Sequence, residues 1–330
     1  MGNVKDTVRG SNWQRIVWLR NNKSCTGWPK MAIEPAMARL LLLECARRPL
    51  RGSVLQLGRQ TILFNEKQLR NWASETRTEI GSVDGVSNRN GTGADGHGNS
   101  EMNDERYFRM MGFGEVASCD FSHYENATFV MDLNQPVKPE FHNRFDMIFD
   151  GGTMEHVFNV PMVFANIHSM LKIGGRVLHV VPSSNMVDHG FYSFSPTLFR
   201  DFYRSNAYSL VKLYLFECSS WGGKWTVYDC LDRCPDSRLG RIASARMAGI
   251  FCIAEKTEAS TANVVPSQGH FSDLWTTAPS VPNGQRDGGW RRSFKSSWPK
   301  LAEIFYQARA LAWRVPVFRR SSLPPVVGKF

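Results

Sequence analysis

Hydrophobic and polar positions along this chain follow two rhythms, one of period near 3.6 and one of short apolar runs. Pro35 opens a segment from Ala36 to Arg47 whose apolar residues, among them Met37, Leu40 and Leu41, recur at helical spacing. Pro49 stops it. Ser53 to Leu57 then reads as a buried strand, Gly58 begins a turn, and Thr61 to Trp72 returns as a helix. Glu115 to Cys119 and Ala127 to Met131 are short strand candidates. Phe145 to Phe149 and Val177 to Val181 flank a helix-like segment and the turn Lys172-Ile173-Gly174-Gly175-Arg176, giving strand, loop, helix, turn and strand in one stretch. Ser195-Pro196-Thr197 starts a helix running to about Asn206, and Leu210 to Phe216 and Ile250 to Ala254 are two further strands. Such alternation predicts a parallel α/β sheet rather than a sandwich of sheets or a helical bundle. The last strands follow one another without a clear helix between them, so an antiparallel pair is expected at one edge.

Three stretches break the pattern and set the expected boundaries. Residues 1–50 form an N-terminal helical segment and 51–256 the α/β domain. Within it 75–105 is rich in Gly, Asn, Ser, Asp and Glu and reads as a surface insertion. That insertion contains Gly91-Thr92-Gly93-Ala94-Asp95-Gly96, a formal G-x-G-x-x-G. A dinucleotide fingerprint must follow a strand and open a helix, and polar chain lies on both sides here, so the match is a coincidence. Residues 257–289 read as linker. In 290–330, Leu301, Ile304, Phe305, Ala308, Leu311, Ala312 and Val315 form an apolar face after Pro299.

Charge changes the picture in one place. The chain of 330 residues carries a net +10, and from Arg286 onward ten Lys/Arg stand against two acids, so +8 of it belongs to the tail. The remainder is close to neutral, and the basicity says little about what the α/β domain binds. The tail's amphipathic face suits docking on the domain itself or a second subunit, or peripheral contact with an anionic membrane. Nucleic acid is not an expected partner, because basic residues flank an apolar helix rather than interleave with aromatics. The start MGNVKDTVRG has no apolar core for export, and seven scattered cysteines do not make a disulfide framework; a cytoplasmic setting is expected. Cys230 and Cys234 stand at C-x3-C spacing with no second pair at zinc spacing, so no metal site is expected.

The candidate chemistry gathers at predicted strand ends. Asp120, Asp132 and Asp150 each close a strand, and Gly151-Gly152 follow the last of them. In open α/β sheets ligands bind outside the carboxyl ends of the strands, and a carboxylate there accepts hydrogen bonds from ribose hydroxyls. Asp also caps loops and helices, so each residue alone says little. Three at successive strand ends make a more specific constellation.

The succession VLQLGRQ (54–60), CDFS (119–122), FVMDLN (129–134), FDMIFDGGTMEHV (145–157) and LKIGGRVLHVVP (171–182) resembles the class I S-adenosylmethionine-dependent methyltransferases, over roughly Arg51 to Lys256. The E-H-V after the fourth strand and the L-K-x-G-G-R before the fifth carry most of it. The resemblance implies a Rossmann-like three-layer sandwich with a seven-stranded, mostly parallel sheet and an antiparallel edge hairpin. It implies S-adenosyl-L-methionine as cofactor, with Asp120 at the ribose, Asp132 and Leu133 by the adenine, and Asp150, Gly151, Gly152 and Thr153 facing the methionine part. The first loop, Gln56-Leu57-Gly58-Arg59-Gln60-Thr61-Ile62, departs from the family's pattern. Gln56 stands for the usual carboxylate, and Gln60 and Ile62 for later glycines. Gln56, Gly58 and Arg59 remain the expected contacts there, although Gln56 can hydrogen-bond but offers no negative charge.

Methyl transfer to an oxygen needs in-line geometry and a base for the hydroxyl proton, a role histidine fills near neutral pH. His189 is the first candidate, with Asp188 and Tyr192 beside it as an acceptor-side cluster. His156, next to Glu155, is the second. His123, His168 and His179 read as structural or solvated. The expected activity is O-methylation of a small molecule or a sugar or glycan acceptor, and H-G-F-Y-x-F-S-P-x-L-F (189–199) resembles relatives in polysaccharide biosynthesis. The alternative is a non-catalytic binding or scaffolding relative that has lost cofactor use through the altered first loop.

Overall fold

The computed structural model describes residues 32–83, 102–123, 125–220, 222–231, 246–269 and 326–330. Strands β1 (Ala32–Ile33) and β3 (Thr61–Ile62) form a small parallel pair. The main sheet comprises β2 (Gly52–Leu57), β4 (Phe113–Asp120), β5 (Phe129–Val130), β6 (Phe145–Asp150), β7 (Leu171–Ser184), β8 (Ser209–Cys218), β9 (Thr226–Asp229), β10 (Met247–Glu255) and β11 (Val326–Lys329). The helices are α1 (Pro35–Arg47), α2 (Glu66–Thr76), α3 (Asp104–Met110), α4 (Val160–Met170) and α5 (Pro196–Ser205).

Local chemistry explains the boundaries. Proline occupies the first turn of α1, α4 and α5, where its missing N–H is no loss. Asn103, Asn159 and Ser195 cap α3, α4 and α5 through side-chain oxygens. Asn65 and Gln68 make a reciprocal capping box for α2. That cap corrects the expected helix from Thr61: the β-branched pair Thr61-Ile62 is strand, and the helix begins only at Glu66.

The order across the main sheet is β11-β9-β8-β10-β7-β6-β2-β4-β5. From β5 to β7 all neighbours are parallel, while β10 runs antiparallel to both β7 and β8. Among the described residues the expected seven strands are present, and β9 and β11 extend them to nine, so the sheet is larger and more mixed than expected and the antiparallel pair β8/β10 expected at its edge lies inside it. The extension is held by Trp225, whose backbone exchanges two hydrogen bonds with Phe330 and whose ring stacks on Phe216 at 3.6 Å. Residues 326–330, expected in the basic tail, therefore form a sheet edge. The apolar tail helix, the G-x-G-x-x-G stretch and the segment before residue 32 lie outside the described residues.

Side chains alternate between the two faces of the sheet. Val54, Met147, Phe149, Leu178 and Phe251 pack under α1, α2 and α3. Leu55, Ile148, Val177, Val181 and Ile250 pack under α4 and α5. Two cores on one sheet make three layers, as expected. Connections leave β2 toward β4 on one side, and the chain returns to place β6 on the other. That reversal opens a crevice at the carboxyl ends of β2, β4 and β6. Among the described residues no helix is long and apolar enough to cross a membrane.

Candidate functional site

A cavity of about 300 Å³ lies at this reversal. Its lining comes from the ends of four strands: Gly58 after β2, Cys119, Asp120 and Phe121 at β4, Met131 to Asn134 after β5, and Thr153, His156 and Val157 after β6. Asp120 and Asp132 put two carboxylates on its wall, and Leu133 and Met131 supply an apolar surface between polar ones. Asp132 is held by an Asx turn, its Oδ1 accepting from the backbone N–H of Asn134 at 2.9 Å and from Nδ2 of the same residue at 2.8 Å. Asn134 in turn accepts from the Asn159 N–H, which ties this wall to the start of α4. The Thr153 hydroxyl donates to the Leu57 carbonyl and joins the β6 loop to the end of β2.

Beyond the His156 wall, three of the expected residues converge. Glu155 is fully buried, and neither carboxylate oxygen has a hydrogen-bond partner among the described residues. His189 Nε2 stands 3.4 Å from Glu155 Oε1, and His156 Nε2 stands 4.0 Å from it. The two imidazole rings lie 5.2 Å apart. Burial is the main cause that pushes the Glu155 carboxyl up to about 6, with His189 pulling the other way. Burial also lowers His156, with His189 adding to the effect. The loop bearing His189 is fastened to this spot, since the Glu155 carbonyl accepts from the N–H groups of Phe191 at 2.8 Å and Tyr192 at 3.3 Å. Gly190 permits that approach: a Cβ there would meet the Glu155 carbonyl oxygen at 2.9 Å.

Asp150 faces inward instead of toward the cavity. It is fully buried, and Oδ1 accepts from the N–H groups of Thr153 (3.0 Å) and Met154 (3.2 Å), capping the turn that carries Glu155 and His156. Oδ2 lies 2.7 Å from His179 Nδ1, and His179 Nε2 lies 2.6 Å from the Tyr203 hydroxyl. The consistent assignment has His179 Nδ1–H donating to the carboxylate and the Tyr203 hydroxyl donating to Nε2. Burial holds the Tyr203 phenol well above its usual value, so it keeps the proton that this chain needs.

The remaining expected residues divide. Gly58, Asp120, Asp132 and Leu133 line the cavity, whereas Arg59, Gln56, Gly151 and Gly152 do not. Arg59 makes a bidentate pair with buried Asp104, at 2.6 and 2.7 Å, and so braces the first loop against α3. Gln56 is buried with its carbonyl oxygen unpartnered, and Gln60 is buried with both amide atoms unpartnered, among the described residues. Gln60 lies against Gly151, where a Cβ would come within 2.6 Å of Oε1. Asp188 is exposed, with a left-handed backbone (φ 64°). The Tyr192 hydroxyl donates to the Phe158 carbonyl at 2.8 Å. Phe158 and Phe191 are exposed and in edge contact at 5.7 Å, forming an aromatic rim next to the cluster. Phe121, Asn134, Gln60 and the Phe158 rim were not among the expected site residues. The signal for Asn134 is present in the Asp-x-Asn spacing; nothing local marks Phe158.

No protein-family profile and no curated protein matches the chain. Among solved structures it is similar to Burkholderia thailandensis 1,6-didemethyltoxoflavin-N1-methyltransferase, at 15% identity and a TM-score of 0.33, over 68% of this chain and 78% of that one. It is similar to a SAM-dependent methyltransferase from Archaeoglobus fulgidus, at 12% identity and TM-score 0.34, over 66% and 94%. It is also similar to the YcgJ protein of Bacillus subtilis, at 11% identity and TM-score 0.37, over 67% and 98%. Likeness at this level carries no argument about activity, and the fold rests on the strand order above.

Proposed function

We propose that this chain is an S-adenosyl-L-methionine-dependent methyltransferase acting on a hydroxyl of a small molecule or a sugar or glycan. The observation that carries the reading is the cavity at the β2/β6 reversal, with two carboxylates on one wall and the Glu155–His156–His189 cluster next to another. The residues present fit the cofactor. Asp120 would accept hydrogen bonds from ribose hydroxyls. Asp132 and Leu133 would flank the adenine. The Gln56 carbonyl oxygen and both amide atoms of Gln60 are buried without partners among the described residues, a state that costs roughly 1–3 kcal/mol per group unless something binds there. Gln56 can accept from the methionine ammonium, and Gln60 can donate to the carboxylate. The cofactor supplies an electrophilic methyl group; the protein's task is to align an acceptor oxygen with it and to take up a proton.

His189 is the group that takes that proton, with Glu155 behind it and His156 at the boundary with the cavity. Exposed Phe158 and Phe191, packed edge to face, offer an apolar rim for an acceptor ring. Screening sugar and lipid-linked sugar acceptors with methyl-labelled cofactor tests the activity. His189→Ala is expected to lower turnover about a hundredfold or more while cofactor affinity stays near wild type. Unchanged turnover would remove His189 from this role.

A further inference from the structure

We propose that Glu155, His156 and His189 bind a divalent first-row transition-metal ion next to the cavity. Each offers one ligand atom, and the three atoms lie within 4.8 Å of one another. Two imidazoles and one carboxylate form a donor set suited to zinc, iron, cobalt or nickel rather than to calcium. Two ligands held about 2.0–2.1 Å from a tetrahedral ion are roughly 3.4 Å apart. The His189–Glu155 separation is 3.4 Å, and the His156–Glu155 separation of 4.0 Å closes with a small turn of a side chain that is 44% exposed.

The second observation is Glu155 itself. A fully buried carboxylate facing two imidazoles, with neither oxygen hydrogen-bonded among the described residues, is incompletely compensated as it stands. A simple ion pair with one histidine would use one imidazole; here two crowd the same carboxylate. The backbone already holds the ligands in place, through the Asp150 cap on the turn bearing Glu155 and His156 and through the Phe191 and Tyr192 N–H groups on the Glu155 carbonyl. Three protein ligands would leave a coordination position open, and His156 also lines the cavity, so the ion would sit beside it.

The consequence for catalysis rests on the methyltransferase reading; the binding of the ion does not. With the ion in place, the His189 lone pair is a ligand, so the ion replaces the free imidazole as the group that activates the acceptor, and His189→Ala lowers turnover through loss of the ion. The acceptor hydroxyl then ligates the open position, which lowers its pKa, and its proton passes to solvent water. The acceptor oxygen forms the new bond to the methyl carbon as the carbon–sulfur bond breaks, leaving a neutral thioether.

The test uses untagged full-length protein stripped with chelator and titrated with Co²⁺. The expected result is one bound equivalent, visible ligand-field bands without the intense thiolate charge-transfer band of cysteine coordination, and displacement by Zn²⁺. Glu155→Gln, His156→Ala and His189→Ala should each weaken binding about tenfold or more. No bound Co²⁺ in the wild type, or binding unchanged in all three variants, would overturn the proposal. Titrating the same stripped protein with S-adenosylhomocysteine separates the two readings. Cofactor binding without Co²⁺ binding removes the metal site alone, while Co²⁺ binding without cofactor binding upholds the site and removes the methyltransferase.

Discussion

Two acid–histidine clusters stand within five residues of each other at the end of β6, and they are built in opposite ways. In Asp150–His179–Tyr203 every side chain is buried and each carboxylate oxygen has a partner. In Glu155–His156–His189 the carboxylate is equally buried but has no hydrogen bond among the described residues, and both histidines reach toward solvent or the cavity. A saturated network rigidifies the fold and has no valence left for a ligand. An unsaturated one is tolerated where something else completes it. The first cluster holds the turn; the second is what the turn presents.

The difference can be broken most forcefully at Asp150. Asp150→Ala strands His179 and two backbone N–H groups, and is expected to lower stability by about 3–5 kcal/mol in denaturant unfolding. A loss below 1 kcal/mol would mean that the closed network does not support the turn. Tyr203→Phe removes one hydrogen bond at the network's far end and should cost about 1 kcal/mol.

Glu34 tests an intermediate case. One of its oxygens accepts from Trp225 Nε1–H at 3.1 Å, and the other is buried without a partner. Burial raises its folded pKa above the unfolded value. The native state therefore holds this proton more tightly than the unfolded chain. The stability this contributes is complete below the unfolded pKa and is lost as pH rises through the raised folded pKa. Glu34→Gln keeps an acceptor for Trp225, so its stability relative to wild type should improve from pH 4 to pH 7. A difference constant with pH would remove the buried charge as the cause. The smallest effect is expected in the open cluster: His189→Ala, so damaging to turnover, should move stability by no more than about 0.5 kcal/mol.

Much of the fold was legible because its strands are apolar runs ended by Asp or Gly. Val54 to Leu57, Phe145 to Phe149 and Val177 to Val181 could be read from period and punctuation. β9 and β11 were not legible. Thr226–Asp229 is four residues long, and Val326–Lys329 follows two prolines in a basic stretch. They are strands through pairing, β9 with β8 and β11 with β9, a long-range fact. In the site, Asp120, Asp132 and Leu133 sit at the cavity as strand-end logic implies. Asp150 does not, because its partners come from β7 and α5. The one hint was His179 within the apolar run Val177 to Val181, a polar residue that needed an answering group across the sheet. Glu155, His156 and His189 were each picked out, but their convergence depends on Gly190 letting one loop lie on the other.

The cavity at the β2/β6 reversal is expected to bind the methyl donor despite Gln56 in place of a carboxylate. Isothermal titration of the full-length protein with S-adenosylmethionine and S-adenosylhomocysteine tests it most directly. One site per chain is expected for both ligands, with Asp120→Ala weakening each by about ten- to a hundredfold. No binding at millimolar cofactor, or binding that Asp120→Ala leaves unchanged, would contradict it and favour a non-catalytic binding module.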